Sequence, residues 1–424
     1  MKNRNDHEVL KLLWQERLFP AGEVHCTAGE RIVADEPGEW DDPTGMFLQA
    51  GVRINDLPLR GDVLAGYAEQ QSKHYDRVIL QLVDREEKPV SRADGSLVPQ
   101  LIIPVPQELA EYYDHLTNRI VDCGGIFAKF DPLVRTAMIT HLLVERLRRK
   151  HNDLLQIHND GKEDWNETLH VMLFRTMGDT KNKEAFTQLA QRVPHRIVSH
   201  ERGSLLAVEA LLLGGSGLLE QRAEDEYILA LKREFDHLQN KYNITPLRPA
   251  VWNLANIQPY NAPVLRLAQL AAFLCSRDFI FDKVVSCRSA NDVLQIFSAE
   301  ASNYWMTHFS PGRISSFSPK RIGEGKAYLL GINFVVPMIF AYGDYTGDEK
   351  LREAALSLLE QIPCERNRYI YDWAEQGVEM RNAFDSQAML QLSREYCEKG
   401  RCAACSLGKK AIREKFYHLV GKKV

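Results

Sequence analysis

The sequence predicts an α+β protein in two parts: a β-rich unit over residues 1–106, with an antiparallel or mixed sheet, and a large mainly helical unit over residues 107–424. Three observations lead there. Short apolar and polar alternations separated by turn residues fill the first hundred positions. After Pro106 the apolar residues recur at helical spacing instead. No internal repeat or low-complexity tract interrupts the 424 residues, a length that accommodates roughly two to three domains of ~150 residues.

Residues 7–18 carry apolar side chains at 9, 10, 13, 14 and 18, a short helix that Pro20 and Gly22 end. Glu23–Thr27 and Arg31–Ala34 flank Ala28-Gly29-Glu30 in a hairpin pattern. Phe47–Ile54 alternates and stops at Asn55-Asp56, and Leu59–Ala65 returns from that turn. Arg77–Val83 holds a β-rich run, and Leu97–Val105 is a last strand limited by Pro104 and Pro106. Strands joined by short turns predict a mainly antiparallel sheet.

Helical spacing begins at 107–120 and 132–151, the second ending in Arg146, Arg148, Arg149, Lys150 and His151, a basic end that suits a helix C-terminus. It continues at 164–177, 183–193, 204–212, 223–240, 262–275, 289–299, 326–342, 348–361 and 383–395. Gly214-Gly215-Ser216-Gly217 follows a helix and lacks the Lys-Ser/Thr of a phosphate loop, so it reads as a helix end and turn.

The chain is 45% hydrophobic and 26% charged with a net charge of −4, so it has no global field for polyanions, and any nucleic-acid contact must come from a local patch. Its polar start has no apolar signal core, and the longest apolar stretch, Leu329–Ala341, is too short to span a bilayer. A cytoplasmic, non-membrane protein is therefore expected. In that compartment Cys26, Cys123, Cys275, Cys287 and Cys364 read as reduced core thiols.

Cys397, Cys402 and Cys405 stand apart at C-x4-C-x2-C spacing. The C-x2-C half lets two sulfurs reach one ion from a tight turn, and Gly400, Ala403 and Ala404 let the chain wrap closely. A fourth ligand would come from Cys364 or His418. Three states stay open: a bound metal (structural zinc or an iron–sulfur cluster), reduced thiols, or a redox pair. The segment that follows is basic. Arg401, Lys409, Lys410, Arg413 and Lys415, with Phe416 and Tyr417 among them, form a candidate nucleic-acid contact, the alternative being a solvated helix.

Several segments carry a family resemblance. They are Pro37-Gly38, Tyr75-Asp76-Arg77-Val78-Ile79-Leu80, Glu209-Ala210-Leu211-Leu212, Gly214, Gly217-Leu218-Leu219 and Trp252. Further along come Pro259-x-Asn261-x-Pro263, Arg266 to Ala271, Tyr304-Trp305, Gly331-x-Asn333, Pro337, Tyr342-Gly343, Ala383, Asp385-Ser386-Gln387 and the cysteine cluster with Leu407-Gly408. In their order they resemble a bacterial family known as domain of unknown function 2851. That family's N-terminal part is similar in turn to a PD-(D/E)xK nuclease core, which holds Mg²⁺ between an Asp and a Glu on adjacent strands. The resemblance implies that this chain has lost those ligands. Gly45-Met46-Phe47 stands where the family has Gly-Pro-Asp-Phe, and Leu64, Gly66 and Gln81 stand where it has Glu, His and His. Asn256-Ile257-Gln258-Pro259 replaces an Arg-x-Arg-Pro.

The resulting expectation is a non-catalytic relative, a pseudoenzyme, that binds nucleic acid or acts as a scaffold. Two alternatives stand beside it: a metal-dependent nuclease with a relocated site, built for instance on Asp42 and Asp62, and an interaction or regulatory module that binds a protein partner through the helical unit.

Overall fold

The structure, a computed structural model, describes residues 4–18, 26–41, 44–66, 75–86, 88–119, 121–161, 163–220 and 225–420. Contacts divide the chain into two compact units. The first contains Met1–Met138, Tyr371–Glu379 and Met389–Val424, and the second Ile139–Ile370 and Met380–Ala388.

The first unit is built on the α+β plan that the sequence predicts. Its strands are β1 (Ile32–Glu36), β2 (Glu39–Asp41), β3 (Met46–Ile54), β4 (Leu57–Ala65), β5 (Val78–Val83) and β6 (Gln100–Ile102). The order is β1-β3-β4-β5-β6, with β2 also on β3. β3 and β4 form a hairpin in which Ile54 pairs with Leu57, and the two loop residues Asn55 and Asp56 both take positive φ, the geometry that matches strand twist. The sheet is mixed: β1, β2 and β4 pair antiparallel with β3, while β4–β5 and β5–β6 are parallel pairs. The connections 66–77 and 84–99 are long enough for crossovers, which a reading of short turns does not anticipate. Cys26 makes an isolated bridge to Leu101 and the Thr27 N–H donates to the Gln100 carbonyl at 2.8 Å, while Glu23–His25 of the expected strand lie outside the described residues.

Four helices accompany the sheet in sequence: α1 (Arg4–Gln15), α2 (Gln107–Thr117), α3 (Cys123–Ala128) and α4 (Pro132–Asp160). Trp14 of α1 is fully buried near Phe47 of β3 and donates from Nε1 to the Pro37 carbonyl at 3.0 Å. α4 runs to Asp160, so the basic residues 146–151 are mid-helix rather than terminal.

The second unit is helical: α5 (Trp165–Met177), α6 (Asp179–Arg192), α7 (His195–Glu201), α8 (Leu205–Gly215), α9 (Glu226–Tyr242), α10 (Pro263–Ser276), α11 (Ile280–Val285) and α12 (Ala290–Ile296). Then come α13 (Glu324–Leu330), a π-helical turn (Gly331–Val335), α14 (Val336–Thr346) and α15 (Glu349–Gln361). α8 and α10 are apolar nearly all round, as central helices must be. A Cβ on Gly214 would meet the Phe235 ring at 2.1 Å, so α9 lies against α8 at a distance only glycine permits. The continuous helical path Glu324–Thr346 is long and apolar enough to cross a membrane, which the sequence reading did not foresee, yet 72% of its most apolar window is buried inside the fold, as in a core helix.

The chain closes with α16 (Arg368–Glu375), α17 (Ala383–Gln391), a second π-helical turn (Leu392–Cys397) and α18 (Ser406–Val420).

Candidate functional site

Four side chains form a row across the sheet of the first unit. Met46 on β3 pairs with Leu64 on β4, Leu64 with Gln81 on β5, and Gln81 with Gln100 on β6. Met46 and Leu64 belong to an apolar cluster with Tyr75, Val78, Val90 and Val98. Gln81 donates from Nε2 to the Gly66 carbonyl at 3.1 Å, while its Oε1 accepts from Gln100 Nε2 at 3.0 Å and from the Val90 N–H at 3.3 Å. The two glutamines are thus satisfied by each other and by backbone, and the Met46–Leu64 end presents no oxygen to a cation.

The nearby acids have local duties. Asp62 is buried and its Oδ1 accepts the Gln49 N–H at 3.1 Å, where β3 bulges and Gln49 takes φ +57°. Arg77 stands 4.0 Å from its other oxygen. Asp76 accepts the Ala93 N–H at 2.8 Å, and Asp41 accepts from the Thr44 N–H at 3.3 Å. Asp42 and His74 lie outside the described residues.

The cysteine cluster belongs to the same unit. Gly400 takes φ +64° between Cys397 and Cys402, and the Cys405 N–H donates to the Cys402 carbonyl at 3.2 Å to close the C-x2-C turn. A Cβ on Gly408 would stand 2.0 Å from that same carbonyl oxygen, so the first turn of α18 is pressed against the knuckle. Tyr113 of α2 is buried, and burial pushes its phenol pKa up. Cys405 immediately precedes α18, and its carbonyl accepts the Lys409 N–H at 2.8 Å.

The two candidates for a fourth ligand have their own surroundings. Cys364 is a member of the second unit, where its thiol donates to the Met380 and Asn382 carbonyls at 3.1 Å each. His418 is exposed in the last turn of α18. Cys123 lies in the first turn of α3, against which α18 packs. It lies within electrostatic range of Cys397, Cys402 and Cys405. Burial, and then the neighbouring thiols, push Cys123 up to about 11 and Cys397 and Cys402 up to about 12. Among the described residues no three His, Cys, Asp or Glu side chains are already drawn onto one point to hold a metal ion. The sequence signal for Cys123 is faint: Asp122 caps α3 by accepting the Gly125 N–H, and Gly124 lets the helix approach Gln376, whose carbonyl a Cβ would meet at 2.2 Å.

The basic residues after the cluster are distributed among intramolecular partners. Lys409 stands 3.2 Å from Glu16, which Arg413 also pairs with. Lys410 pairs with Glu414 at 3.0 Å and lies over the Phe130 ring, while Lys415 lies over Tyr112. Arg401 is exposed. Lys422 and Lys423 lie outside the described residues.

Buried polar centres in the second unit join segments that are far apart in sequence. Glu209 is fully buried on α8. It accepts from Trp305 Nε1 at 2.6 Å, from Ser302 Oγ at 3.1 Å and from the Tyr227 hydroxyl. Burial raises its pKa, and those hydrogen bonds oppose the rise. Arg266 donates to Gln269 at 2.9 Å and to Asn261 at 2.6 Å, and its buried Nε has no partner. Gln387 Oε1 accepts from Arg146 at 2.7 Å, and Lys150 bridges it to Asn333 of the first π-turn at 3.0 Å. The Glu209 motif thus meets Tyr304-Trp305, and Gly331-x-Asn333 meets Asp385-Ser386-Gln387.

A family profile described as a protein of unknown function, DUF2851, matches residues 7–368, a span that includes the sheet row and Cys123 and stops short of the cluster at 397–405. No curated protein and no solved structure matches the chain.

Proposed function

We propose, from the premise that this chain belongs to the DUF2851 family of proteins of unknown function, that it binds nucleic acid without cutting it. The observation that carries the reading is the pairing of Met46 with Leu64 inside an apolar cluster. Two adjacent strand positions where a nuclease of the PD-(D/E)xK kind holds Mg²⁺ are occupied by side chains that bind no hard cation. The binding face in this reading is the C-terminal basic segment, which contains exposed Arg401 and the two lysines Lys410 and Lys415 that lie over Phe130 and Tyr112. Glu16 neutralises Lys409 and Arg413, so the field is modest and the complex salt-sensitive.

Binding of labelled single- and double-stranded DNA and RNA across a salt series tests the proposal. Affinity should fall steeply as salt rises, and Arg401→Glu with Lys415→Glu should flatten the slope. Incubation with Mg²⁺ or Mn²⁺ should leave the strands intact. Cleavage lost in Asp62→Ala, or a protein partner captured with no nucleic-acid affinity, would overturn it.

A further inference from the structure

An exposed patch in the second unit combines aromatic rings with unpaired cations, and neither the sheet row nor the cysteine cluster accounts for it. The patch joins the turn Pro259–Asn261 to a two-stranded hairpin, β7 (His308–Ser310) and β8 (Arg313–Ile314), and to the segment that follows the hairpin. We propose that this surface binds single-stranded nucleic acid, its rings taking bases and its arginines taking phosphates. The inference rests on the nucleic-acid reading for the class of ligand, and it adds a second contact surface built from residues of the second unit alone.

Exposure is the first support. Ile314 is 83% and Phe317 73% exposed, and Tyr260, whose hydroxyl donates to Ser318 Oγ at 3.2 Å, is 48% exposed. Clustered apolar side chains that face water mark interaction surfaces. Charge is the second support. Residues 243–263 and 301–323 contain Arg248, His308, Arg313, Lys320 and Arg321 and no Asp or Glu. Arg313 and Arg321 are exposed, and among the described residues neither forms an ion pair. Two acids come near in the fold. Glu300 meets Arg321 through a backbone bridge, and Asp225 accepts from the Tyr304 hydroxyl at 2.7 Å. Lys320 is fully buried against the rings, its ammonium 4.0 Å from the centre of Phe309 and 5.7 Å from that of Tyr260. It donates to the Met306 and Ser318 carbonyls and to the Ser318 hydroxyl, so its charge meets no anion and is screened by protein rather than by water.

Rigidity is the third support. Tyr260 and Phe309 pack edge to face at 4.9 Å. α10 holds both segments: Arg266 donates to Asn261 Oδ1 at 2.6 Å, and Gln269 Nε2 donates to the Lys320 and Arg321 carbonyls at 3.3 and 3.1 Å. Rings fixed in advance lose little freedom when a base stacks on them. Anchoring Tyr260 at both ring and hydroxyl suits stacking better than insertion into a lipid surface, where apolar side chains must leave the fold. Duplex bases are already stacked on one another, so an aromatic surface selects unpaired strands.

The test titrates the full chain into labelled oligothymidylate and oligouridylate of about 16 nucleotides, and into a duplex of equal length, reading anisotropy at several salt concentrations. Single strands should bind more tightly than the duplex. Phe317→Ala and Tyr260→Ala should each weaken single-strand binding about fivefold or more and leave the salt slope unchanged. Arg313→Glu with Arg321→Glu should weaken it and flatten the slope. Tyr371→Ala, at an exposed ring outside the patch, should change nothing. Unchanged thermal midpoints show that the variants fold. If Tyr260→Ala does not, cross-linking of 4-thiouridine-substituted strands to the natural chain decides, and peptides containing Tyr260 or Phe317 should carry the adduct. Single-strand affinity that survives these variants, or adducts confined to α18, would overturn this inference and leave the C-terminal face standing. A chain with no affinity for any nucleic acid would overturn both, even if anionic vesicles or an acidic protein bound the patch.

Discussion

Met46 and Leu64 face each other across β3 and β4, and both are buried in one apolar cluster. Restoring an acid there should therefore harm the fold. Leu64→Glu should cost about 3 kcal/mol or more in urea unfolding, because a carboxyl group without partners replaces a packed side chain. Its folded pKa would lie above the unfolded value. The deficit should then be smallest in acid and grow as pH rises past the ordinary carboxylate range.

Glu209 gives the natural protein a similar dependence. Burial raises its pKa, so its share of stability is present below the unfolded carboxylate value and is lost as pH rises through the folded one. Unfolding free energy measured from mildly acidic to neutral pH should decline across that window, and Glu209→Gln should remove that part of the decline. An unchanged slope in the variant would show that the carboxyl does not titrate there.

Gly408→Ala places a methyl group 2.0 Å from the Cys402 carbonyl oxygen, against backbone that cannot swing aside. A loss of about 2 kcal/mol or more is expected, seen as a lowered thermal midpoint and early proteolysis in α18.

Glu16 links fold to proposed function. Glu16→Ala should cost only about 0.5–1 kcal/mol, since its partners are surface cations. By releasing Lys409 and Arg413 it should tighten nucleic-acid binding and steepen the salt dependence. Unchanged affinity would remove α18 from the contact.

Local patterns were legible in the sequence where one stretch of chain settles its own geometry. The β3–β4 hairpin around Asn55-Asp56, the helix end at Gly215 and the C-x2-C turn are of that kind. Pairings set by distant segments were not. The parallel placement of β5 beside β4 depends on a crossover, and the continuation of α4 past Lys150 depends on Gln387 and Asn333, which receive residues that look like a basic helix end.

The first compact unit includes the final residues of the chain: α18 packs on α2 and α3, and Glu16 beyond α1 holds two of its side chains. During synthesis, the strands emerge from the ribosome long before the helix that completes their unit. The segment Ile139–Ile370 has to pass first, so it can condense while the sheet still waits. Truncation within α18 would accordingly injure the part of the unit translated earliest.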